Sequence, residues 1–482
     1  MTKLRRISTD VVYEAHPFAR VILARLKDAG FEAVLIGGVV RDGLQVQLDR
    51  DVVFPPQDVD IATAALPQEI RQLFRDRHII GVGEEFGVLL IVAPDGKHYE
   101  VASFRVESEY DGRWPGKVNL VRDLESDVLR RDLTINGLAA TADGKVIDLV
   151  GGTKDLVARR VATIGEPDAR FSEDYLRMIR VVRFACRICG DIDKATAQAV
   201  RDHAGSIQNI SSERIGDELL RILETPQAAR GLELLDDLGL LPHILQEVSN
   251  CHGVPQPEEY HPEGDVFVHT VKALRVADSF VCDPIVKLAI LLHDIGKPIA
   301  LERNDGRNMG GHCVIGARMA KQVGRRLRLS KLQSQRLGFL VRQHMRIADF
   351  PVMGRGKQIR FLSEGEANEA SVVSARYPLF FDLLQVLVAD CEASAHRSTG
   401  WAPILQETIR VMDHIERVCD LQRAREMIDG HDLTDLGISP GPRLGRILNH
   451  VHDRILAGQV VTRAEALSFA QSQIAEESPP DK

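Results

Sequence analysis

An apolar run, Ala33-Val34-Leu35-Ile36, gives way to Gly37-Gly38 and resumes as Val39-Val40-Arg41-Asp42, with Asp58-Val59-Asp60 a short distance on. No other feature constrains the fold as much. It reads as a buried strand, a glycine turn, a helix start, and then two carboxylates on the same face of a second strand. Glycine lets backbone N–H groups approach a phosphate closely, and a helix N-terminus adds a favourable dipole. Side-by-side carboxylates repel one another unless a cation lies between them. Phosphate on one side and Mg²⁺ on the other are what phosphoryl or nucleotidyl transfer requires.

The 482 residues exceed what one hydrophobic core usually supports, so several domains are expected. Aromatic residues make up only 5% of the chain, which favours a largely helical molecule over a β-sandwich. The net charge of −8 does not advertise a nucleic-acid binder, although a local basic face can still do that work. The 7 cysteines are scattered, and the close pair Cys186 and Cys189 has no second pair at zinc spacing. They are read as reduced thiols on a core helix. No signal core and no run of about 20 apolar residues is present, so a cytoplasmic protein without a membrane partner is expected.

Helical periodicity at 18–29 precedes the strand at 33–36, and further strand-like runs follow at 59–62, 87–92 and 98–104. The α/β character continues to about Gly165, and helical patterns dominate from Phe171. Pro255-Gln256-Pro257 reads as a linker before a histidine-rich helical section, which closes near Arg397-Ser398-Thr399-Gly400. The tail from Glu476, with Pro479-Pro480, reads as disordered.

Chemistry-bearing groups recur along the first third. Glu100, on the strand after His98-Tyr99, offers a third acid to the Asp58 and Asp60 pair. Arg130-Arg131-Asp132-Leu133-Thr134-Ile135-Asn136 sets two arginines, an acid and an amide within two helical turns, suited to triphosphate oxygens and ribose hydroxyls. Asp148-Leu149-Val150-Gly151-Gly152 is a further acidic, glycine-rich turn.

These segments, taken in order with Glu173-Asp174-Tyr175-Leu176-Arg177-Met178-Ile179-Arg180 and Ser212-Glu213-Arg214-Ile215, resemble the tRNA nucleotidyltransferase and bacterial poly(A) polymerase family. The resemblance covers most of the chain. It implies a polymerase-β-like α/β (α+β) head at 1–165, then an all-α neck at 166–250, an HD domain at 251–396 and a tRNA-binding tail at 397–482. It implies that Asp58 and Asp60 hold Mg²⁺ and that Glu100 helps to activate the RNA 3′-hydroxyl. Gly37, Gly38, Arg41, Asp42, Arg131, Asp132 and Asn136 would then bind the nucleotide.

Residues 171–185 read as one helix, on which Asp174 and Arg177, three apart, share a face. An aspartate accepting from an exocyclic amine and an arginine donating to a ring nitrogen or carbonyl imitate the edge of a partner base. Such a pair admits C or A and rejects U or G. The family places its base-reading residues at these two positions. Arg180 and Arg183 continue the face and either contact phosphate or remain solvated. The charged, Gly- and Pro-containing stretch 105–115 reads as a mobile loop, similar to one that A-adding relatives possess, which disfavours a CC-only enzyme.

The second half carries His269, His293-Asp294, His312, His344 and Asp390, with His293-Asp294 inside an apolar helix. Imidazoles and carboxylates suit a divalent transition metal. The order resembles the HD phosphohydrolase superfamily and implies hydrolysis of phosphate esters at these six residues, or an HD module kept for structure alone. Lys321, Arg325, Arg326, Arg328 and Lys331, then Arg355, Lys357 and Arg360, then the Gly437–Arg446 turn, are candidate RNA phosphate contacts. The expectation is template-independent addition of C, C and A to tRNA from CTP and ATP. An A-adding enzyme, a poly(A) polymerase and a protein that is chiefly an HD phosphohydrolase are the alternatives. Oligomeric state is not legible.

Overall fold

The computed structural model describes residues 5–48, 58–81, 83–110, 115–259, 261–262, 264–365, 376–394, 400–418 and 420–476. The chain divides into two compact units, 1–246 and 247–482. Among the described residues no helix is long and apolar enough to cross a membrane.

The first unit opens with an α/β section. Its sheet contains β1 (Ala33–Ile36), β2 (Asp60–Thr63), β3 (Ile79–Ile80), β4 (Val88–Val92), β5 (His98–Ser103), β8 (Ala139–Ala140) and β9 (Val146–Ile147). The strand order is β3-β4-β5-β2-β1-β8-β9. β1 is apolar throughout because it lies inside the sheet, with Val34, Leu35 and Ile36 all buried. On one face Val34 and Ile36 pack with Ala62, Phe104, Leu124 and Val128. β2 and β5 run parallel in a register that sets Asp60 opposite Glu100. The other strand pairs of this sheet are antiparallel.

Helices then take over. Pro167–Glu173, Leu176–Arg187 and Ser212–Leu223 are the ones that carry site residues. The second unit is helical, including Val266–Ala277, Pro284–Leu292, Lys297–Arg303, His312–Arg326, Lys331–Gln343 and Pro378–Ala393. Pro284–Leu292 is buried from Ile285 to Leu292, even at Lys287, whose ammonium donates to Asp278 at 2.7 Å.

Several sequence expectations are corrected. β2 begins at Asp60, so Asp58 precedes the strand instead of sharing it. Residues 105–110 are a strand instead of loop: β6 (Arg105–Tyr110) pairs antiparallel with β7 (Pro115–Leu120), and the rest of the expected loop, 111–114, lies outside the described residues. Backbone pairing joins the two strands, and Glu107 on β6 accepts from Arg105 at 2.6 Å and from Arg130 at 3.0 Å. Residues 171–185 are not one helix. The chain breaks at Asp174, which is extended (φ −154°), and its carboxylate caps Leu176 N–H at 3.1 Å.

His293-Asp294 lies at the end of its helix, where the turn frees both side chains to point the same way. Cys189 falls beyond the helix that holds buried Cys186. Gln256, read as linker, accepts a hydrogen bond from Lys297 Nζ. Residues 395–399 and 477–482, where a boundary and a disordered tail are expected, lie outside the described residues.

Candidate functional site

Gly37 adopts φ +72°, a left-handed conformation that glycine accepts without strain, and turns the chain from β1 into the Gly38–Gln45 helix. A Cβ there would lie 3.6 Å from Arg131 Nη1 and 3.9 Å from Asp60 Oδ2. The turn therefore faces the acids. Asp60 and Glu100 remain accessible to solvent. Burial raises the Asp60 carboxyl above its usual range and Asp58 raises it further, while Arg131 and Arg41 oppose. Glu100 is likewise raised by burial and by Asp60, with Arg105 and Arg131 opposing. Three carboxylates that disfavour one another's charge, one of them opposite another across two strands, fit a divalent cation.

The neighbouring polar groups are tied together. Arg131 donates to Asp127 at 3.1 Å, and burial of Asp127 is overcome by Arg131 and Arg130, which hold its carboxyl low. Arg41 donates to Asn136 Oδ1 at 2.7 Å and to Asp42 at 2.9 Å, and Arg187 reaches the other oxygen of Asp42 at 2.9 Å. Asp132 is buried, yet Arg180, Asn136 and the Leu133 amide keep it far below the carboxylate range. Arg180 Nε donates to Asp132 at 2.7 Å, and Arg183 donates to Glu218 at 3.1 Å. Arg41, Arg180 and Arg183 all stand over the Phe184 ring, at 4.9, 5.4 and 4.4 Å. Arg180 thus has carboxylate partners within the protein.

Asp174 and Arg177 do not face one another as a free pair. Arg214 grips Asp174 through two bonds of 3.2 and 2.6 Å, and Arg177 donates to Glu173 and to the Arg170 carbonyl. The Asp148 turn is a cap: its carboxylate accepts from the Gly152 and Thr153 amides at 2.9 Å each. Asp127, Glu107 and Glu218 were not singled out by sequence reasoning. Asp127 stands three and four residues before Arg130 and Arg131, a legible helical spacing, whereas Glu218 gains its role only through distant contacts and Glu107 joins the near Arg105 to the distant Arg130.

In the second unit all six predicted residues converge. His269 Nε2 lies 3.1 Å from Asp390 Oδ1. Asp294 Oδ2 lies 3.1 Å from His293 Nε2, while its Oδ1 lies 3.5 Å from His312 Nε2 and 3.8 Å from His344 Nε2. The Nδ1 atoms of His293, His312 and His344 meet the carbonyls of Ile290, Met309 and Val341 at 2.7, 3.0 and 2.9 Å. A carbonyl only accepts, so each Nδ1 carries the proton and each Nε2 offers a lone pair. His293 Nε2 and Asp294 Oδ2 are buried without a hydrogen bond of good geometry, although Lys297 Nζ comes within 2.6 Å of that oxygen. Burial drives His344 down to about 3. Converging imidazole nitrogens and carboxylate oxygens fit a divalent metal. A cavity of about 580 Å³, lined by His261, Asp294, Lys297, Arg307, His312 and Asp390 among others, opens onto them.

Comparison with known proteins joins these sites. Residues 33–162 match the poly A polymerase head domain, 191–251 the probable RNA and SrmB-binding site of polymerase A, and 266–376 the HD domain. The CCA-adding enzyme of Geobacillus sp. (strain WCH70) is 43% identical over 231 residues, 47% of this chain and 55% of that protein. With such relatives the match spans about half of their length. The CCA-adding enzyme of Limosilactobacillus reuteri (strain DSM 20016) is 30% identical over 95% of this chain and 97% of its own. Among solved structures, the Bacillus stearothermophilus CCA-adding enzyme in complex with CTP aligns with TM-score 0.66 and 25% identity, over 96% of this chain and 98% of that one. The Thermotoga maritima CCA-adding enzyme complexed with tRNA shares the fold (TM-score 0.57, 15% identity, 98% and 99% coverage). With a 30% identical relative matched along nearly its whole length and three family models in the expected order, the chain belongs to the CCA-adding enzyme family and carries an HD domain.

Proposed function

We propose that this protein adds C, C and A to the 3′ end of tRNA from CTP and ATP without a template, in the cytoplasm, with Mg²⁺ held by Asp58 and Asp60. The observation that carries the reading is Asp60 opposite Glu100 on parallel strands beside the Gly37 turn. Bound Mg²⁺ would supply charge stabilisation for the attacking and leaving oxygens. Glu100 accepts the proton of the RNA 3′-hydroxyl, a task that its raised carboxyl pKa favours. Gly37 and Gly38 let the triphosphate approach the backbone, and Arg131, already beside Gly37, neutralises it. Asp42, Asp132 and Asn136 position Arg41 and Arg180 around the nucleotide. Asp174 and Arg177 read the base, which requires Arg214 and Glu173 to share or release them.

A second activity is supported by the convergence of His269, His293, Asp294, His312, His344 and Asp390: metal-dependent hydrolysis of a phosphate ester in the cavity beside Lys297. Among the described residues Cys186, Cys189, Cys251, Cys282, Cys313 and Cys391 are in no disulfide, which accords with a reducing compartment. Incubating the protein with Mg²⁺, labelled CTP or ATP, and tRNA ending before CCA or after CC tests the first reading. C incorporation onto the shorter tRNA is expected. A alone on tRNA ending in CC points to an A-adding enzyme, and long A tails on any RNA point to a poly(A) polymerase.

A further inference from the structure

Two basic stretches that lie far apart in the sequence meet at one cavity of the second unit. The Arg355–Leu362 and Pro442–Leu456 helices pack so closely that a Cβ at Gly356 would stand 2.3 Å from the Asp453 Cα. Beside that contact opens a cavity of about 570 Å³, a volume typical of small-ligand sites. Arg355, Lys357 and Arg360 line it from the first helix, and Arg446 and Arg454 from the second. Arg446, Asp453 and Arg454 stand at i, i+7 and i+8, so one helical face carries them. Among the described residues the lining holds a single carboxylate, Asp453, and it is already engaged. Arg360 Nη2 donates to its Oδ2 at 2.9 Å, and Nε comes within 2.8 Å of its Oδ1. Arg355 donates to Glu407 at 3.0 Å. Arg454 donates to Gln459 at 2.8 Å and stands 5.2 Å over the Phe469 ring. These contacts fix the walls, whereas Lys357 and Arg446 have no ion-pair partner among the described residues.

We propose that this cavity binds a small phosphate-dense anion, a nucleoside triphosphate or inorganic pyrophosphate, at Lys357, Arg446 and Arg454. Positive charge exceeds what the protein supplies to balance it. One ligand carboxylate would leave most of these cations unmatched. A phosphate chain carries several charges, and its oxygen pairs suit guanidinium forks. The cations surround a concavity, so a small anion fits better than the convex backbone of an RNA duplex. The site is separate from that of nucleotide addition, and it shares no lining residue with the cavity of the histidine cluster.

The test uses full-length protein in buffer free of Mg²⁺, so that phosphate charge meets the cations directly. ATP and pyrophosphate are added separately, with binding read by peptide-resolved hydrogen–deuterium exchange and by calorimetry. Slower exchange in peptides spanning 354–360 and 446–459 is expected. Protection by both anions assigns the site to the phosphate chain, and protection by ATP alone assigns it to the whole nucleotide. Protection by neither overturns the proposal. In calorimetry, Lys357→Ala with Arg446→Ala should weaken one class of bound anion on the order of 10-fold for each cation removed. Lys357→Arg with Arg446→Lys should restore it. Unchanged anion binding in the alanine pair overturns the proposal, and a loss of tRNA affinity alongside it would assign these cations to the RNA backbone instead. The exchange measurement needs no variant, so a misfolded alanine pair does not rescue the proposal.

Discussion

Asp60 and Asp132 sit in the same unit and shift in opposite directions: burial, helped by Asp58, raises Asp60 against Arg131 and Arg41, whereas Arg180, Asn136 and the Leu133 amide overcome burial at Asp132. Asp60→Ala should lower nucleotide addition by about 10³-fold or more, the scale at which a metal ligand and its charge stabilisation are lost; initial rates with saturating CTP measure it. Asp132→Ala leaves Arg180 with Glu218 as its remaining carboxylate and should cost about 3 kcal/mol of stability. The depressed carboxyl pKa contributes stability that is complete above the unfolded value of about 3.9 and fades as pH falls toward the folded value. The gap in melting temperature between the parent protein and Asp132→Ala should therefore be widest near neutral pH and narrow at pH 3. A gap that widens in acid would refute the network. That His269, His293, Asp294, His312, His344 and Asp390 come together was legible residue by residue, since acids and histidines in sequence order carry their own signal. Glu218 was not, because nothing local marks an acid whose partners lie far along the chain.

Secondary elements were legible where the pattern is local and uniform. β1 and the Pro284–Leu292 helix announce themselves through apolar runs. The break at Asp174 was hidden, because buried Phe171 and Leu176 keep the apolar spacing going and no Gly or Pro interrupts it. What stops the helix is a capping carboxylate held from the Ser212–Leu223 helix by Arg214. The β6–β7 pair was hidden for the converse reason, since Gly, Pro and charge suggested a loop that distant Arg130 helps to pin. Close approach gives an element-level prediction. An added Cβ at Gly296 would stand 2.2 Å from the His312 carbonyl, backbone that cannot swing aside. Gly296→Ala should shift the start of the His312–Arg326 helix, cost about 1–3 kcal/mol and loosen metal at the HD cluster. Calorimetric melting and metal content check it, and an unchanged metal stoichiometry and melting temperature would contradict the packing argument.

At the scale of the whole molecule, the chain divides into two units, one with the carboxylate cluster and one with the histidine cluster, at a net charge of −8. The proposed RNA binding would therefore use local basic faces. Several candidates are committed elsewhere: Arg326 binds Glu247, Arg355 binds Glu407, and Arg360 binds Asp453. Lys321 is different. With Arg318 and Arg342 it lines a groove walled by Val314, Ala317 and Phe339, and among the described residues none of the three cations has an ion-pair partner. Reversing all three charges should weaken tRNA binding and flatten its salt dependence by roughly 0.7–0.9 per lost phosphate contact, as filter binding across salt concentrations would show. An unchanged slope would remove this groove from the RNA surface. The central claim is that the head adds nucleotides to tRNA through Asp58, Asp60 and Glu100, independently of the HD cluster. The most direct test is gel-resolved extension of tRNA ending before CCA, with CTP, ATP and Mg²⁺, by the parent protein, Asp60→Ala and His293→Ala. The account predicts three added nucleotides with the parent and His293→Ala and none with Asp60→Ala; extension by Asp60→Ala, or its loss in a folded His293→Ala, would contradict it.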